Sequence, residues 1–373
     1  MKKLLLVLFM IATISASLLT ACTEPEPSPS PSPSPTPSPE PSPTPVQPIR
    51  LTFANWEQPP NIAKYSGTHE AWARDFEELT GGRYIVEVVH GGALASIPEA
   101  YDAVATGIAD IAHFIPQDTE RPFPMSNVVA LPFLQVRSDT ATKALHQAWA
   151  KGYFDEEYSD VKVLYMNASA SADDLLTIDP INGIEDLKGL KIGTGGGSRV
   201  DLLKALGAVP VFCPPPEVYP MLQKSIIEGL LISGYGIYKT HQDEFINYLI
   251  NPVRMFRIIH VVAMNMDTYN KMPDDVKQIV DTMDADAKYS LMSATILANE
   301  YEETIDTFLG TIGTEIDWSE EDMAELEKIC AGIFDKWIAD TEAEGLPATD
   351  LLNEYYNNLK ALGVEKPALG YTP

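Results

Sequence analysis

Short apolar runs and longer amphipathic segments alternate along the chain from residue 49 onward. The apolar runs predict three strands, at Ile49–Asn55, Arg83–Val89 and Ile108–Phe114. Two segments between them, 72–79 and 97–106, have the apolar spacing of amphipathic helices. This alternation predicts a parallel sheet with helices on both faces, which is an α/β fold.

A second unit of the same kind lies at residues 180–236. Lys191–Thr194 predicts a strand, and Val209–Phe212 predicts the next strand. Between them lie a glycine turn at 195–197 and a helix that Ser198 is suited to cap. Loops at the carboxyl ends of such strands bind ligands in α/β folds. We therefore expect this segment to form the floor of a small-molecule site.

The chain is expected to cross between the two units twice. Val161–Met166 leaves the first unit as a strand, and Arg257–Met264 is apolar enough to return as another. Two crossings predict two lobes joined by a two-strand hinge. Asp274–Leu309 contains no glycine or proline, so we expect one long helix that spans both lobes. The predicted lobes comprise residues 49–166 plus 258–300 (lobe I) and 167–257 plus 301–373 (lobe II).

The first 48 residues predict export and anchoring. Two lysines precede an apolar run, which is typical of a secretory signal peptide over residues 1–21. The run ends in Leu19–Cys22, which resembles a bacterial lipobox, and this resemblance implies a lipid on Cys22. An ordinary signal peptide followed by a chance cysteine is the alternative. Residues 22–48 alternate proline with serine or threonine, which predicts an extended linker between a membrane and the folded part.

Charge and motifs narrow the classes of function. The net charge of −27, from 53 acidic and 26 basic residues, argues against nucleic acid as a partner. The sequence lacks Gly-x-Ser-x-Gly, His-Glu-x-x-His and Cys-x-x-Cys, and its six histidines are widely spaced. We therefore expect no enzyme, no metal and no cofactor. Cys213 and Cys330 are expected in the core, and a disulfide between them stays open.

Candidate ligand-binding residues lie at the predicted strand ends, where a cleft would form. Asn55 and Trp56 close the first strand, and Phe114 closes the third. Tyr235 and Tyr238 follow the apolar run at 230–232. The four aromatic side chains could enclose a flat ligand, although each of them taken alone is more often a core residue.

Short motifs in a consistent order resemble those of a known family. They are Phe76 with Glu78–Gly82, Gly91–Leu94, Gly107–Asp110, Leu131–Leu134, Ile184–Ile192, Leu206–Ala208, Glu217–Tyr219 with Leu222–Gln223, and Glu228–Gly229. The family is the DctP-type, C4-dicarboxylate-binding solute-binding proteins of tripartite ATP-independent periplasmic (TRAP) transporters. The resemblance implies a periplasmic-binding-protein-like fold (type II-like) that closes on a small organic ligand. It also implies an extracytoplasmic protein that delivers the ligand to a membrane permease; a receptor that feeds a sensor system is the alternative. We expect the protein to be a monomer.

The chain departs from this family where a ligand carboxylate would bind. The family usually has an arginine directly after the position of Ile192, and this chain has Gly193. An ungapped count places Asp173 at the position of a second family arginine. Arg199 either replaces the missing arginine from the start of its helix or lies at the surface. We therefore expect a neutral or cationic ligand, held by aromatic faces and Asp173.

Overall fold

The computed structural model describes residues 47–119, 121–134, 136–169 and 173–373. The predicted signal peptide, Cys22 and nearly all of the linker lie outside these residues. Among the described residues, none of the helices combines the length and the apolar composition that a membrane span needs.

The strands form two separate sheets. They are β1 (Ile49–Asn55), β2 (Tyr84–Val89), β3 (Ile111–Phe114), β4 (Val161–Ala168), β5 (Asp173–Thr177), β6 (Lys191–Thr194), β7 (Val209–Phe212), β8 (Gly229–Ile232), β9 (Tyr248–Met255), β10 (Ile259–Asn265) and β11 (Thr314–Ile316). The first sheet has the order β2-β1-β3-β10-β4, and the second has the order β11-β9-β5-β8-β6-β7.

Both sheets are mixed, whereas the sequence predicted parallel strands. In the first sheet, β10 runs antiparallel to β3 and β4. In the second, β5 runs antiparallel to β8 and β9. The strands of the other neighbouring pairs are parallel. The antiparallel pairs all involve β5 or β10, because these strands enter their sheet from the opposite lobe.

Helices cover the faces of both sheets. They are α1 (Gly67–Leu79), α2 (Ala100–Ala105), α3 (Ser138–Trp149), α4 (Ser198–Ala205), α5 (Val218–Gln223), α6 (Met266–Asn270), α7 (Asp274–Thr282), α8 (Lys288–Thr311), α9 (Glu320–Ala343) and α10 (Ala348–Ala361). Phe53 of β1 packs with Trp72 and Phe76 of α1 in the core of lobe I. Leu79, which helical spacing also placed on this face, is exposed.

Two neighbouring chain segments join the lobes, as the sequence predicted. One leads from β4 to β5, and the other leads from β9 to β10. Backbone hydrogen bonds tie the segments together: Ser169 N–H donates to Ile258 O (2.9 Å), and Asp173 N–H donates to Phe256 O (3.0 Å). The lobes therefore share a two-strand hinge.

The single helix expected over Asp274–Leu309 is wrong, because α7 and α8 are separate helices. Ala287 breaks the helical path with a φ of 55°. The buried carboxylate of Asp284 accepts the backbone N–H groups of Tyr289 (2.6 Å) and Ser290 (3.2 Å), so it caps the start of α8. No glycine or proline marks this break.

Helix α8 contacts both lobes, as expected for the long helix. Near its start, Ser290 Oγ accepts the backbone N–H of Met166 in β4 at 3.3 Å. Further along, Tyr301 donates to Asp174 of β5 at 2.9 Å. At the end of the chain, α10 packs against α3, so C-terminal residues also contact lobe I. The predicted limits of the lobes stay a prediction.

Candidate ligand-binding cleft

A cavity of about 240 Å³ lies between the lobes, where loops from both sheets meet. Lobe I lines it with Trp56, Glu57, Tyr65, Asp118 and His260. Lobe II lines it with Asp173, Gly195, Arg199, Tyr235 and Lys239. Such a concave site, with aromatic faces and a few charged groups, suits a small organic molecule.

Four of the eight residues predicted to bind ligand line this cavity. Trp56 follows β1, Asp173 begins β5, Arg199 lies in the first turn of α4, and Tyr235 follows β8. Trp56 and Tyr235 were predicted from strand ends, and Asp173 and Arg199 from the departures from the family pattern. The four residues come from both lobes and line the same cavity. Arg199 is only 4% exposed, which excludes the surface alternative considered for it.

The other four predicted residues lie outside the cavity lining. Asn55 is buried behind Trp56, and its amide contacts His113 and His90. Tyr238 instead reaches the end of α8, where its hydroxyl lies 3.2 Å from Thr311 Oγ1. These two positions therefore support or flank the cleft.

Phe114 and Gly193 face the cores of their lobes. Phe114 packs edge-on against Tyr101, with ring centroids 5.3 Å apart, because β3 is buried on both faces. Gly193 has no room for a side chain, since a Cβ there would lie 2.8 Å from Ile227 Cδ1 and 3.0 Å from Leu230 Cδ2. Neither position offers a side chain to the cavity.

The strongest electrostatic feature of the cleft is the pairing of Arg199. Its Nη2 lies 3.0 Å from Asp118 Oδ1 in lobe I, and its Nη1 lies 3.4 Å from Asp173 Oδ2 at the hinge. Its Nε donates to Gly196 O at 2.9 Å. A buried guanidinium is stable only when such partners neutralise and hydrogen-bond it. The ion pair with Asp118 also links the two lobes across the cleft.

The glycine turn makes room for this pair. A Cβ at Gly195 would lie 2.5 Å from Arg199 Nη2 and 2.7 Å from Asp118 Oδ1. A Cβ at Gly196 would lie 2.8 Å from the backbone oxygen of Gln117. The turn therefore lets lobe II approach the loop after β3 closely.

Burial and charge shift the protonation of the paired groups. Burial raises the pKa of Asp173 to about 7, although the charge of Arg199 opposes the shift. Burial alone would lower the pKa of Arg199, but the charges of Asp118 and Asp173 outweigh it and raise that pKa. Arg199 therefore stays charged, while Asp173 titrates near neutral pH.

The second cation of the cleft is paired as well. Lys239 Nζ lies 3.1 Å from Glu300 Oε1 and donates to the Tyr235 hydroxyl at 2.7 Å. The same ammonium lies 3.9 Å from the centroid of the Tyr235 ring, which is a cation–π distance. Burial raises the pKa of nearby Glu57, which also lines the cavity.

Sequence reasoning missed several charged or polar lining residues, among them Glu57, Asp118, Lys239 and His260. Glu57 and Asp118 follow β1 and β3 by two and four residues, so the strand-end rule could have included them. Lys239 follows Tyr235 by four residues. This spacing indicates neighbouring side chains only in a helix, and no helix was predicted there. His260 lies inside the apolar return strand, where a core role was the simplest interpretation.

Two α/β lobes, a two-strand hinge and an inter-lobe cavity define the class of two-lobed solute receptors. The chain belongs to the family described as bacterial extracellular solute-binding protein, family 7 (DctP), whose profile matches residues 54–340. The predicted family resemblance and fold class are thereby confirmed, and the family is extracytoplasmic.

Relatives and solved structures agree with this membership. The chain is 25% identical over 249 residues to protein YiiZ of Salmonella typhimurium, covering 62% of this chain and 70% of the relative. It is 23% identical over 292 residues to the ectoine-binding periplasmic protein TeaA of Halomonas elongata, covering 76% and 83%. A TRAP periplasmic solute-binding protein of Bordetella bronchiseptica, solved with (R)- and (S)-mandelate, has the same fold. That structure gives a TM-score of 0.75 and 21% identity, covering 84% of this chain and 100% of that one.

Replacing Gly195 by alanine tests whether the glycine turn protects the ion pair. The new methyl group would collide with the paired Arg199 and Asp118, so we expect the free energy of unfolding to fall by roughly 1–3 kcal/mol. Urea denaturation measures the change. Gly310→Ala is the matched control, because a Cβ at Gly310 meets nothing within 4 Å and α8 gains helix propensity. A Gly195→Ala protein as stable as the wild type would contradict this account.

The titration of Asp173 predicts a pH dependence of stability. Between the ordinary pKa of 3.8 and the folded pKa of about 7, the folded carboxyl keeps a proton that the unfolded chain has lost. This group's contribution to the free energy of unfolding therefore falls as pH rises from about 4 to about 7, by at most about 1.4 kcal/mol per pH unit.

Asp173→Asn lacks this titration, so the wild type should lose stability relative to the variant over the same range. Urea denaturation of both proteins at pH 5, 6, 7 and 8 measures the difference. A difference that stays constant, or that favours the wild type increasingly with pH, would show that the carboxyl titrates normally.

Proposed function

We propose that this chain is a lipid-anchored receptor that captures a neutral or cationic small organic molecule in the cleft. It delivers this ligand to the membrane subunits of a TRAP-type transporter. The observation that carries the ligand class is the pairing of both cavity cations with carboxylates of the protein. Membership of the solute-binding family supports the receptor role.

The charges around the cavity oppose a simple carboxylate ligand. Among the described residues that line it, Glu57, Asp118 and Asp173 are acidic, and Arg199 and Lys239 are basic. A ligand carboxylate would have to compete with Asp118 and Asp173 for the guanidinium of Arg199, and displacing Asp173 would leave a buried carboxylate without its partner. Breaking a buried pair in this way costs several kcal/mol. A neutral or cationic ligand leaves the pairs intact.

The similar proteins support a small organic ligand and leave its charge open. The Bordetella bronchiseptica protein binds mandelate, which is an acid, and the Halomonas elongata protein is named for binding ectoine. In this chain, Gly193 stands where the family resemblance implies a carboxylate-binding arginine. The ring of Tyr235 and the indole of Trp56 supply faces from opposite lobes on which a flat or cationic ligand can lie.

A thermal-shift comparison tests the ligand class with three probes of similar size. Benzylammonium and benzyl alcohol should raise the melting temperature of the mature protein, and benzoate should not. In Asp173→Asn, the affinity for benzylammonium should fall about tenfold, which corresponds to about 1.4 kcal/mol, because its carboxylate partner is lost. The affinity of the same variant for benzyl alcohol should fall much less.

Asp306→Asn is the matched control, because Asp306 is an exposed aspartate on α8. It should leave the binding of all three probes unchanged. Stabilisation of the wild-type protein by benzoate alone would overturn the proposed ligand class, although it would leave the receptor role standing.

The lipid anchor rests on the sequence of the first 22 residues and has its own test. With Cys22 intact, the protein should sediment with membranes and incorporate labelled fatty acid. Cys22→Ala should abolish labelling and release the protein from the membrane fraction. Cys213→Ala, which removes a free buried thiol, should keep both properties. A wild-type protein that carries no label would refute the anchor.

A further inference from the structure

His260 reaches the cleft from β10 with one ring nitrogen already engaged. Its Nδ1 lies 3.0 Å from His113 Nε2, and its ring lines the cavity. Within the described part of the chain, no protein group hydrogen-bonds His260 Nε2. The role of this nitrogen towards a ligand depends on whether it carries a proton, because a bare Nε2 accepts and a protonated Nε2 donates.

Hydrogen bonds behind the cleft determine which ring nitrogen of His260 carries its proton. The backbone N–H of Glu57 donates to Asn55 Oδ1 at 3.2 Å, which fixes the orientation of the amide. His113 Nδ1 lies 2.9 Å from the same oxygen, so it must donate its proton there. A neutral His113 then has a bare Nε2, which can only accept from His260 Nδ1. His260 Nε2 is therefore left bare.

The hydrogen bonds of the Asn55 amide nitrogen agree with this assignment of the protons. Its amide nitrogen lies 2.9 Å from His90 Nδ1, 3.3 Å from Ser66 Oγ and 3.4 Å from Glu57 O, all of which can accept. His90 Nε2 in turn lies 2.8 Å from the carboxylate of Glu70, to which it donates. One chain of hydrogen bonds, which we call the Asn55 relay, thus runs from Glu70 through His90, Asn55 and His113 to His260.

Both buried histidines of the relay are neutral. Burial lowers the pKa of His113 well below its ordinary value, and burial lowers the pKa of His260 to about 4. The indole of Trp56 stacks on both rings, with centroids 5.0 Å from His113 and 6.3 Å from His260. Stacking and hydrogen bonding together hold the imidazole of His260 in one orientation.

We propose that His260 Nε2 is a fixed hydrogen-bond acceptor in the cleft, which selects ligands that present an O–H or N–H donor to it. A carboxylate oxygen at this position would face a lone pair and lose its own hydrogen bond with water, so it is disfavoured. The selection deepens the proposed function and rests on it, since it needs a ligand in this cavity. The protonation state itself does not depend on any ligand.

Long-range ¹H–¹⁵N NMR spectra of the full mature protein, labelled at histidine, test the protonation state directly. In the wild type at neutral pH, His113 and His260 should both show a protonated Nδ1 and a bare Nε2. A protonated Nε2 on His260 would overturn the inference, whether or not any ligand binds.

Two variants test whether Asn55 sets this state. Asn55→Leu removes the acceptor for His113 Nδ1, so His113 should donate through Nε2 and His260 should carry its proton on Nε2. His90→Phe breaks the relay on the far side of Asn55 and should leave His260 with a bare Nε2, because Glu57 still orients the amide. Identical histidine spectra for the wild type and a folded Asn55→Leu protein would show that Asn55 is not the positioning residue.

His260→Phe tests the selection of ligands while keeping a flat ring against Trp56. The affinity of the variant for benzyl alcohol and for benzylammonium should be about tenfold lower in calorimetric titration, which corresponds to the loss of one hydrogen bond. Asp306→Asn again serves as the control. Equal affinities of His260→Phe and the wild type for both donor probes would refute the selection. If none of the probes binds in the cleft, the proposed function is refuted. The NMR spectra would still show whether His260 Nε2 is bare.

Discussion

Neutralising the buried charge of Arg199 is the constraint on which the arrangement of the cleft depends. A guanidinium that is 4% exposed requires carboxylate partners, and they come from different parts of the chain. Asp118 follows β3 in lobe I, Asp173 stands where the chain enters lobe II, and Gly195 leaves space for the contact. Because the pair with Asp118 spans the cleft, the contact that neutralises Arg199 also holds the two lobes together.

The neighbouring carboxylate Asp174 fixes the hinge in a different way. Successive side chains of a strand point to opposite faces, so Asp173 faces the cavity while Asp174 faces α8. Asp174 accepts from Arg254 Nε at 3.1 Å, from the Tyr301 hydroxyl at 2.9 Å and from Gly234 N–H at 2.9 Å. These bonds tie β5 to β9, to the long helix and to the loop that carries Tyr235. The two adjacent aspartates therefore have different roles: Asp173 lines the cavity, and Asp174 fixes β5 to the elements around it.

The sequence predicted the parts of the fold that follow from local apolar patterns. Strands β1, β6 and β7 have the predicted bounds, because glycine or proline stands within four positions of both ends of each run. Strand β5 was missed because it begins with two aspartates, whose burial depends on partners far along the chain that include Arg199 and Arg254. Phe114 was placed in the cleft because a strand buried on both faces gives no alternation to show which way a side chain points. The hydrogen bonds that orient His260 join residues 55, 113 and 260, which no local pattern brings together.

The packing of lobe II leaves no room for an arginine at position 193. Ile227, Leu230 and Cys213 approach so closely that even a Cβ at Gly193 would lie within 3.1 Å of each. An arginine there would have to displace these core side chains before its guanidinium could reach the cavity. The only arginine in the cavity lining, among the described residues, enters from α4 and is already neutralised. Core packing, the paired Arg199 and the bare nitrogen inferred for His260 support the proposed exclusion of a ligand carboxylate through three separate sets of contacts. Under this proposal, the ligand class depends on the core and the hinge as well as on the surface of the cleft.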